Sequence, residues 1–268
     1  RLADGAAADD GCWLRADPVH LVVDRDRVYL GGVLELAAAE TASLLEACNP
    51  LLAEEGMRLE ASPAGRWYLQ VPEPPAFTTV APAAAVGGDV ATLLPPGPEA
   101  AGFRGLLTEL QMLLHDHPVN TARAERGEAV VNSLWPWGAG RLPAVPPGRW
   151  QAVWTGDAGT ASGAAADDAC LARGLALQAG LPVHPLPQGL DGMDGGEGAH
   201  LAVLAPPTDP AVLERLDAAW FGPALTALRR GRLGSLGLFT EAGAWLLGRG
   251  DARRWWRRRR PLVGTARA

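Results

Sequence analysis

The stretch that decides the fold of this chain reads His117-Pro118-Val119-Asn120-Thr121-Ala122-Arg123-Ala124-Glu125-Arg126-Gly127. After four further residues it continues Asn132-Ser133-Leu134-Trp135-Pro136-Trp137-Gly138-Ala139-Gly140-Arg141-Leu142-Pro143. We predict the start of a helix and a short basic turn in the first part, then an aromatic strand and a glycine-rich loop over 138–148. Such a density of His, Asn, Arg, Trp and Gly is unlike a hydrophobic core. It favours a surface that binds a small polar anion, because guanidinium and backbone N–H groups both suit phosphate.

Length and charge limit the class of protein. The chain has 268 residues, 48% of them hydrophobic, and a net charge of −6, which suits one large domain or two small ones. The negative charge argues against general affinity for nucleic acid, which needs a basic face. Cys12, Cys48 and Cys170 form no CxxC pair and so indicate a reducing compartment. No apolar run reaches the ~18 residues of a membrane span, and we expect a cytoplasmic protein.

Hydrophobic periodicity predicts alternating strands and helices. The first half is predicted to hold a strand hairpin over 20–23 and 27–30, a helix over 36–55, strands over 57–61 and 66–71, and a helix over 103–115. The second half is predicted to hold strands over 151–154, 182–186, 199–204 and 233–239, with helices over 168–179 and 209–230, the last broken or kinked at Pro223. Strands that alternate with helices indicate a mainly parallel sheet with helical cover, so the expected fold class is α/β.

Several stretches carry a family resemblance. They are Trp13-Leu14-Arg15-Ala16-Asp17-Pro18-Val19-His20-Leu21, Arg66-Trp67-Tyr68-Leu69, Glu109-Leu110-Gln111-Met112-Leu113-Leu114-His115-Asp116-His117-Pro118-Val119-Asn120, Val131-Asn132-Ser133-Leu134-Trp135 and Trp255-Trp256-Arg257-Arg258-Arg259-Arg260-Pro261-Leu262. Over nearly its whole length the chain resembles the RpfE-type regulatory proteins of proteobacteria. Members of that family carry an additional N-terminal segment, for which we expect no counterpart in this sequence.

That family is similar, more distantly, to the archaeal type of cofactor-independent phosphoglycerate mutase, of the alkaline phosphatase superfamily. The shared pieces are Leu14-Arg15-Ala16-Asp17 and the segment quoted first. The resemblance implies an alkaline-phosphatase-like, phosphoglycerate-mutase-like α/β fold. Residues 1–145 would form a cap-like α/β region resembling the inserted domain of the mutases. Residues 146–268 would form a degenerate phosphatase-like α/β region, a mainly parallel sheet with helices, ending in a basic Arg/Trp tail.

The resemblance also says what chemistry to look for. Such mutases hold two divalent metals through several converging carboxylates and imidazoles and use a Ser or Thr nucleophile near the N-terminus. In this chain the corresponding segment, Ala199 to Asp209, keeps one His and one Asp, and Phe239-Thr240-Glu241-Ala242 stands at the late Asp-His pair. We therefore expect no metal site, no cofactor and no catalytic residue of the mutase type.

A surviving ligand site is expected to bind a small anionic, for example phosphorylated, metabolite. The residues chosen for it are Arg15, His117, Asn120, Arg123 and Arg141, with Asn132 and Trp135 shaping the site.

Each of these residues also has a purely structural interpretation. Arg15 is equally well explained as an ion-pair partner of Asp17 or Asp24, and Arg123 with Arg126 as a solvated helix face. His115 and His117 suit a helix cap and an ordered loop, and Asn120 suits an ordinary N-cap. The glycines at 138–140 either cradle a phosphate or form a tight turn.

The tail is the one strongly basic patch of the sequence. It contains six arginines around two tryptophans, namely Arg253, Arg254, Trp255, Trp256, Arg257, Arg258, Arg259 and Arg260. Such a segment either contacts nucleic acid or an anionic lipid surface, or docks on the acidic body of the protein. Docking is favoured because the remainder of the chain is acidic.

Three functions remain open from the sequence. The first is a catalytically inactive, phosphoglycerate-mutase-like regulatory or interaction protein with a protein partner or a small anionic ligand. The second is an active phosphotransferase with a rearranged metal site. The third is a nucleic-acid or membrane-surface adaptor that works through the tail, against which the net charge counts. We favour the first.

Overall fold

The structure is a computed structural model that describes residues 1–145, 148–156, 164–193, 196–207, 209–240 and 242–252. The predicted basic tail over 253–260 lies outside the described residues. The chain divides into two compact units, one of Arg1–Gly148 with Asp157–Pro182, the other of Arg149–Gly156 with Val183–Ala268. The sequence placed one boundary between residues 145 and 146, whereas in the structure the chain returns to the first unit after residue 156.

The first part of the chain holds five strands and five helices. In chain order they are β1 (Cys12–Asp24), β2 (Arg27–Val33), α1 (Ala38–Glu54), β3 (Arg58–Ala61), β4 (Trp67–Val71), α2 (Pro82–Ala85), α3 (Val90–Leu93), α4 (Ala101–His115), α5 (Pro118–Glu125) and β5 (Ser133–Gly140), with short 3₁₀ turns at Leu2–Asp4 and Pro98–Ala100. The predicted hairpin, the helices near 36–55 and 103–115, and the strand pair before residue 72 are confirmed.

A five-stranded antiparallel sheet organises this first unit. The long strand β1 pairs with β2, β4 and β5, and β3 pairs with β4. On one face, α1 contributes Leu44, Cys48 and Leu52, each 0% exposed, at the four-residue spacing of an amphipathic helix. They share a core cluster with leucines of α4, among them Leu110 and Leu114. Strand pairing therefore fixes the register of β1 and β5, and the sheet packs against α1 and α4.

The predicted glycine-rich loop is wrong at its start, because β5 continues to Gly140. The pairing of β1 with β5 shifts register between Trp13 and Arg15, opposite this end of β5. Gly138 has φ +68°, a backbone conformation that side chains other than glycine rarely adopt. The glycine therefore serves a β-bulge in a paired strand rather than a tight turn.

The second part of the chain begins with the strand that was predicted over 151–154. Its elements are β6 (Trp150–Thr155), α6 (Ala164–Gln178), β7 (Val183–Pro185), β8 (Ala199–Val203), α7 (Pro210–Leu216), α8 (Gly222–Arg230), β9 (Ser235–Thr240), β10 (Gly243–Gly248) and α9 (Arg249–Ala252), with a 3₁₀ turn at Leu190–Gly192. Helix α6 belongs to the first unit and starts four residues before the predicted position.

The second unit contains the parallel sheet that the alternation of elements predicted. Strand β6 lies between β7 and β8 and pairs in parallel with both, so the mixed α/β fold class is confirmed. A π-helical turn at Asp217–Phe221 separates α7 from α8, and Pro223 lies in the first turn of α8, where its missing N–H costs nothing. Strand β10, which pairs with β9 in an antiparallel hairpin, was not predicted. Among the described residues, no helix is long and apolar enough to cross a membrane.

Candidate functional site

The predicted ligand residue Arg15 lies in the middle of the five-stranded sheet. Its register partners are Tyr68 on β4 and Trp137 on β5, and its guanidinium carbon lies 5.7 Å and 5.3 Å from the centres of those two rings. Asp17 follows two residues later on β1, so its side chain projects to the same face. Asp167 reaches the site from α6. We call these five residues the Arg15 cluster.

Hydrogen bonds occupy the outer nitrogens of Arg15. Nη2 donates to Oδ1 of Asp17 at 2.5 Å, and Nη1 donates to Oδ1 of Asp167 at 2.8 Å. The second oxygen of Asp17 accepts the indole N–H of Trp137 at 2.7 Å. The remaining donor, Nε of Arg15, is buried and has no hydrogen-bond partner among the described residues. The guanidinium group therefore joins β1 to α6 within the first unit.

Burial and charge act against each other in the Arg15 cluster. Burial alone would lower the pKa of Arg15, but the neighbouring carboxylates of Asp17 and Asp167 raise it. Burial raises the pKa of Asp17 above its ordinary value, although Arg15 and the Trp137 N–H oppose the change. Asp17 is 3% exposed, so its charge depends on Arg15 for compensation, because an unpaired buried charge is costly.

A second ion pair lies beside the Arg15 cluster and shares Tyr68 with it. Asp4 accepts hydrogen bonds from the guanidinium of Arg66 and, at 2.7 Å, from the hydroxyl of Tyr68. Burial would raise the pKa of Asp4, but these bonds lower it from 3.8 to about 2. Asp4 is therefore ionised at neutral pH and fixes the N-terminal 3₁₀ turn to β4.

Arg123 was predicted to bind an anion or to lie on a solvated helix face. The solvated-face interpretation is wrong, because Arg123 is 7% exposed and has internal partners, whereas anion binding stays a prediction. Its Nη1 donates to Glu40 at 2.9 Å and its Nε donates to the carbonyl of Ala129 at 2.8 Å. Arg126 donates to the other oxygen of Glu40 and to both oxygens of Glu128. Arg123 of α5 and Arg126, the C-cap of that helix, therefore hold the first turn of α1.

The N-cap prediction for Asn120 is wrong. Helix α5 begins at Pro118, and the cap is His117, whose Nδ1 accepts the N–H of Val119 at 3.2 Å; the capping role considered for His117 is thereby confirmed. Asn120 is a buried residue of the first turn. Its Nδ2 donates to the carbonyls of Leu114 and Val131, and its Oδ1 accepts the N–H of Val131. Asn120 thus connects α4, α5 and the start of β5.

The other three predicted residues also have internal partners. Asn132 makes two bonds, 2.7 Å and 2.8 Å long, with the backbone N–H and carbonyl of Leu21. Trp135 is buried and donates its indole N–H to the carbonyl of Val80. Arg141 is exposed and donates to the carbonyl of Asp10 and to Glu73.

The structure therefore distributes the seven predicted residues over the first unit. Among the described residues, a backbone hydrogen bond from Asn120 to the carbonyl of His117 joins two of them in the first turn of α5, and no side-chain hydrogen bond does. Their partners could not be read from the sequence, because Glu40 and Asp167 lie 83 and 152 residues away from the arginines they bind. The ion pair of Arg15 with Asp17 was one of the open interpretations and is confirmed. Asp24, the alternative partner, pairs through its backbone with Arg27 in the hairpin.

Two histidines of the second unit, His184 and His200, lie in its parallel sheet. His184 on β7 stacks on Trp154 of β6 with the ring centres 4.5 Å apart. His200 lies on β8, and neither of its ring nitrogens has a hydrogen-bond partner among the described residues. Within the described ranges, no group of three or more His, Cys, Asp or Glu side chains is placed to hold a metal ion.

Comparison with known proteins gives a distant similarity to 2,3-bisphosphoglycerate-independent phosphoglycerate mutases. No protein-family model matches the chain. The mutase of Methanosarcina barkeri is 27% identical over 180 residues, which are 66% of this chain and 43% of the relative. The mutase of Methanosarcina acetivorans is 33% identical over 94 residues, which are 35% of this chain and 22% of that protein. The matches thus span less than half the length of these relatives.

Two solved structures overlap with the chain in part. One is the cofactor-independent phosphoglycerate mutase of Thermoplasma acidophilum, with a TM-score of 0.41 and 17% identity over 91% of this chain and 68% of that one. The other is a protein from Pyrococcus horikoshii, with a TM-score of 0.44 and 16% identity over 84% of this chain and 57% of that one. Both TM-scores lie below 0.5.

Proposed function

We propose that this chain is a cytoplasmic regulatory or interaction protein, related to the phosphoglycerate mutases and to the RpfE-type proteins, that does not catalyse the mutase reaction. The observation that carries the proposal is which groups two of its arginines bind. Arg15 and Arg123 are directed at internal carboxylates, where they connect strands and helices of the first unit.

Phosphate recognition by arginine needs guanidinium donors that are free to form a fork with the phosphate oxygens. A phosphate that took the outer nitrogens of Arg15 would have to displace Asp167. It would also bring a second negative charge towards the buried Asp17, and like charges repel strongly where water is excluded. These two costs favour a structural role for Arg15 over phosphate binding.

The alternative proposal keeps a small phosphorylated metabolite as a ligand at Arg15. One observation favours it, namely the buried Nε–H of Arg15, which has no acceptor among the described residues. An active phosphotransferase would require the same arginine to bind substrate, so one experiment addresses both possibilities.

The experiment follows the conversion of 3-phosphoglycerate to 2-phosphoglycerate by phosphorus NMR, with Mn²⁺ present and the Methanosarcina barkeri mutase as the positive control. Binding of 3-phosphoglycerate is measured in parallel by calorimetry. We expect no turnover above the rate without protein and no binding heat. Turnover by the unchanged protein would overturn the proposal, as would binding heat that is lost in Arg15→Gln and kept in the exposed control Arg27→Gln. Circular dichroism of both variants verifies that they are folded.

A further inference from the structure

A groove of about 500 Å³ opens on the first unit between the end of α1, the end of β4 with the segment after it, and the start of α4. Its size falls in the range of pockets that bind ligands. Its lining is partly apolar and includes Met57, Phe77, Phe103 and Leu106. The rings of Phe77 and Phe103 lie 4.9 Å apart, so the groove has an aromatic wall.

Two glycines of α4 leave part of its groove-facing surface without side chains, although Phe103, Leu106 and Glu109 of the same helix also line the groove. Gly102 and Gly105, one turn apart on α4, both line the groove. A Cβ added to either glycine would meet no atom within 4 Å. A glycine inside a helix costs roughly 0.5–1 kcal/mol relative to alanine. The sequence therefore gives up helix stability at positions where a side chain would project into open space.

Three carboxylates on the rim of the groove have no counter-ion in the part of the chain that the structure describes. Glu54, Glu55 and Glu109 line the groove and are exposed, and none of them forms an ion pair among the described residues. The fourth acidic residue, Glu73, is bound to Arg141 at 3.2 Å. The free charge around this partly apolar groove is thus negative, as is the net charge of the chain, −6.

We propose that this groove is a docking surface for a segment of a partner protein that inserts an apolar or aromatic side chain and places arginine or lysine beside Glu54, Glu55 and Glu109. The proposal deepens the proposed function and rests on it. Charge complementarity selects a cationic occupant, and the aromatic wall selects an apolar or aromatic side chain. Anionic metabolites and nucleic acids would be repelled from the same rim.

The test measures binding of a fluorescently labelled peptide, Arg-Arg-Phe-Leu-Arg-Arg, by anisotropy at low salt. Gly105→Phe fills the groove and should weaken binding about tenfold or more, the effect expected when a central apolar anchor is lost. Its matched control, Gly105→Ala, leaves most of the space open and should keep the affinity. A peptide with serine in place of phenylalanine and leucine should bind about tenfold more weakly.

The charge requirement is tested with a matched pair of triple variants. Changing Glu54, Glu55 and Glu109 to glutamine should weaken peptide binding about tenfold, since three exposed ion pairs with the peptide are lost. The control changes Glu35, Glu46 and Glu125 to glutamine. These residues are exposed and lie outside the groove, and the control removes the same total charge.

Equal loss in both triple variants, or equal affinity of Gly105→Phe and Gly105→Ala, would overturn the groove proposal and leave only non-specific attraction. Undetectable binding of the peptide to the unchanged protein would overturn it as well. The outcome of the mutase assay is independent of the outcome of the peptide test. Phosphoglycerate turnover would refute the proposed function whether or not the peptide binds. Absence of peptide binding, together with absence of turnover, would refute the groove proposal alone.

Discussion

Replacing Arg15 by methionine tests whether this arginine is a structural element of the sheet. The change keeps much of the length of the side chain and removes its charge and its hydrogen bonds. Asp17 would then remain buried at 3% exposure, with the Trp137 N–H as its remaining hydrogen-bond partner among the described residues. Removing one partner of a buried ion pair costs about 3–5 kcal/mol, and loss of the partly buried contact with Asp167 adds roughly 0.2–1 kcal/mol. We expect Arg15→Met to lose about 3–6 kcal/mol of unfolding free energy.

A double-mutant cycle separates this effect from lost packing. Asp17→Asn keeps an oxygen for the Trp137 N–H and removes the buried charge. In the double variant Arg15→Met with Asp17→Asn, no unpaired charge remains. The two changes should therefore couple by about 2 kcal/mol, within the range of residues in direct contact. Urea unfolding at pH 7, followed by tryptophan fluorescence and circular dichroism, gives the four free energies.

The pH dependence of the single variant supplies a second signature. Burial already raises the pKa of Asp17, and removing Arg15 should raise it further. When the pKa of a carboxyl group is higher in the folded protein than in the unfolded chain, the protein loses stability as the pH rises through the interval between the two pKa values. Arg15→Met should accordingly approach the stability of the unchanged protein as the pH falls. A loss below 1 kcal/mol, or additive effects in the cycle, would refute the structural role of Arg15.

Three further predictions concern the same unit. The pKa of Asp4 is lowered from 3.8 to about 2, so the free energy of unfolding should decrease by about 1–2 kcal/mol, after solvent screening, as the pH falls through this interval. Asp4→Asn should therefore flatten the acid unfolding curve, and an unchanged curve would contradict this. Asn120→Ala leaves the buried N–H of Val131 without its acceptor and should cost about 3 kcal/mol in urea unfolding; a cost under 1 kcal/mol would show that the connection is dispensable. Gly105→Ala should raise the melting temperature, because it adds about 0.5–1 kcal/mol of helix stability in open space, and a lower melting temperature would show that the position is constrained.

Periodicity was sufficient to predict the elements whose signal is local. The β1–β2 hairpin and helix α1 each repeat a pattern within twenty residues, and alternating strands and helices indicated the parallel sheet around β6. Strand β10 was missed because its run of six residues is short, and a short apolar run does not distinguish a strand from a buried helix segment.

The candidate site was predictable in its residue types and not in its contacts. The density of arginine, asparagine and tryptophan was interpreted as a ligand surface, yet Asn120 and Arg123 bind the backbone and carboxylates of neighbouring elements. Proline at position 118 fixes the start of α5 two residues before Asn120, which is why the N-cap was misplaced. The sequence offered no signal for Asp167 as the partner of Arg15, because only the return of α6 to the first unit brings the two together.

The most direct test of the internal role of Arg15 is the NMR signal of its side-chain Nε–H, assigned by comparison with Arg15→Lys. With its outer nitrogens held by Asp17 and Asp167, this proton should exchange slowly, and its signal should not move when 3-phosphoglycerate and Mn²⁺ are added up to millimolar concentration. A saturable shift of the Arg15 signal on titration, with the signal of Arg123 unchanged, would contradict the account and assign Arg15 to an anion site.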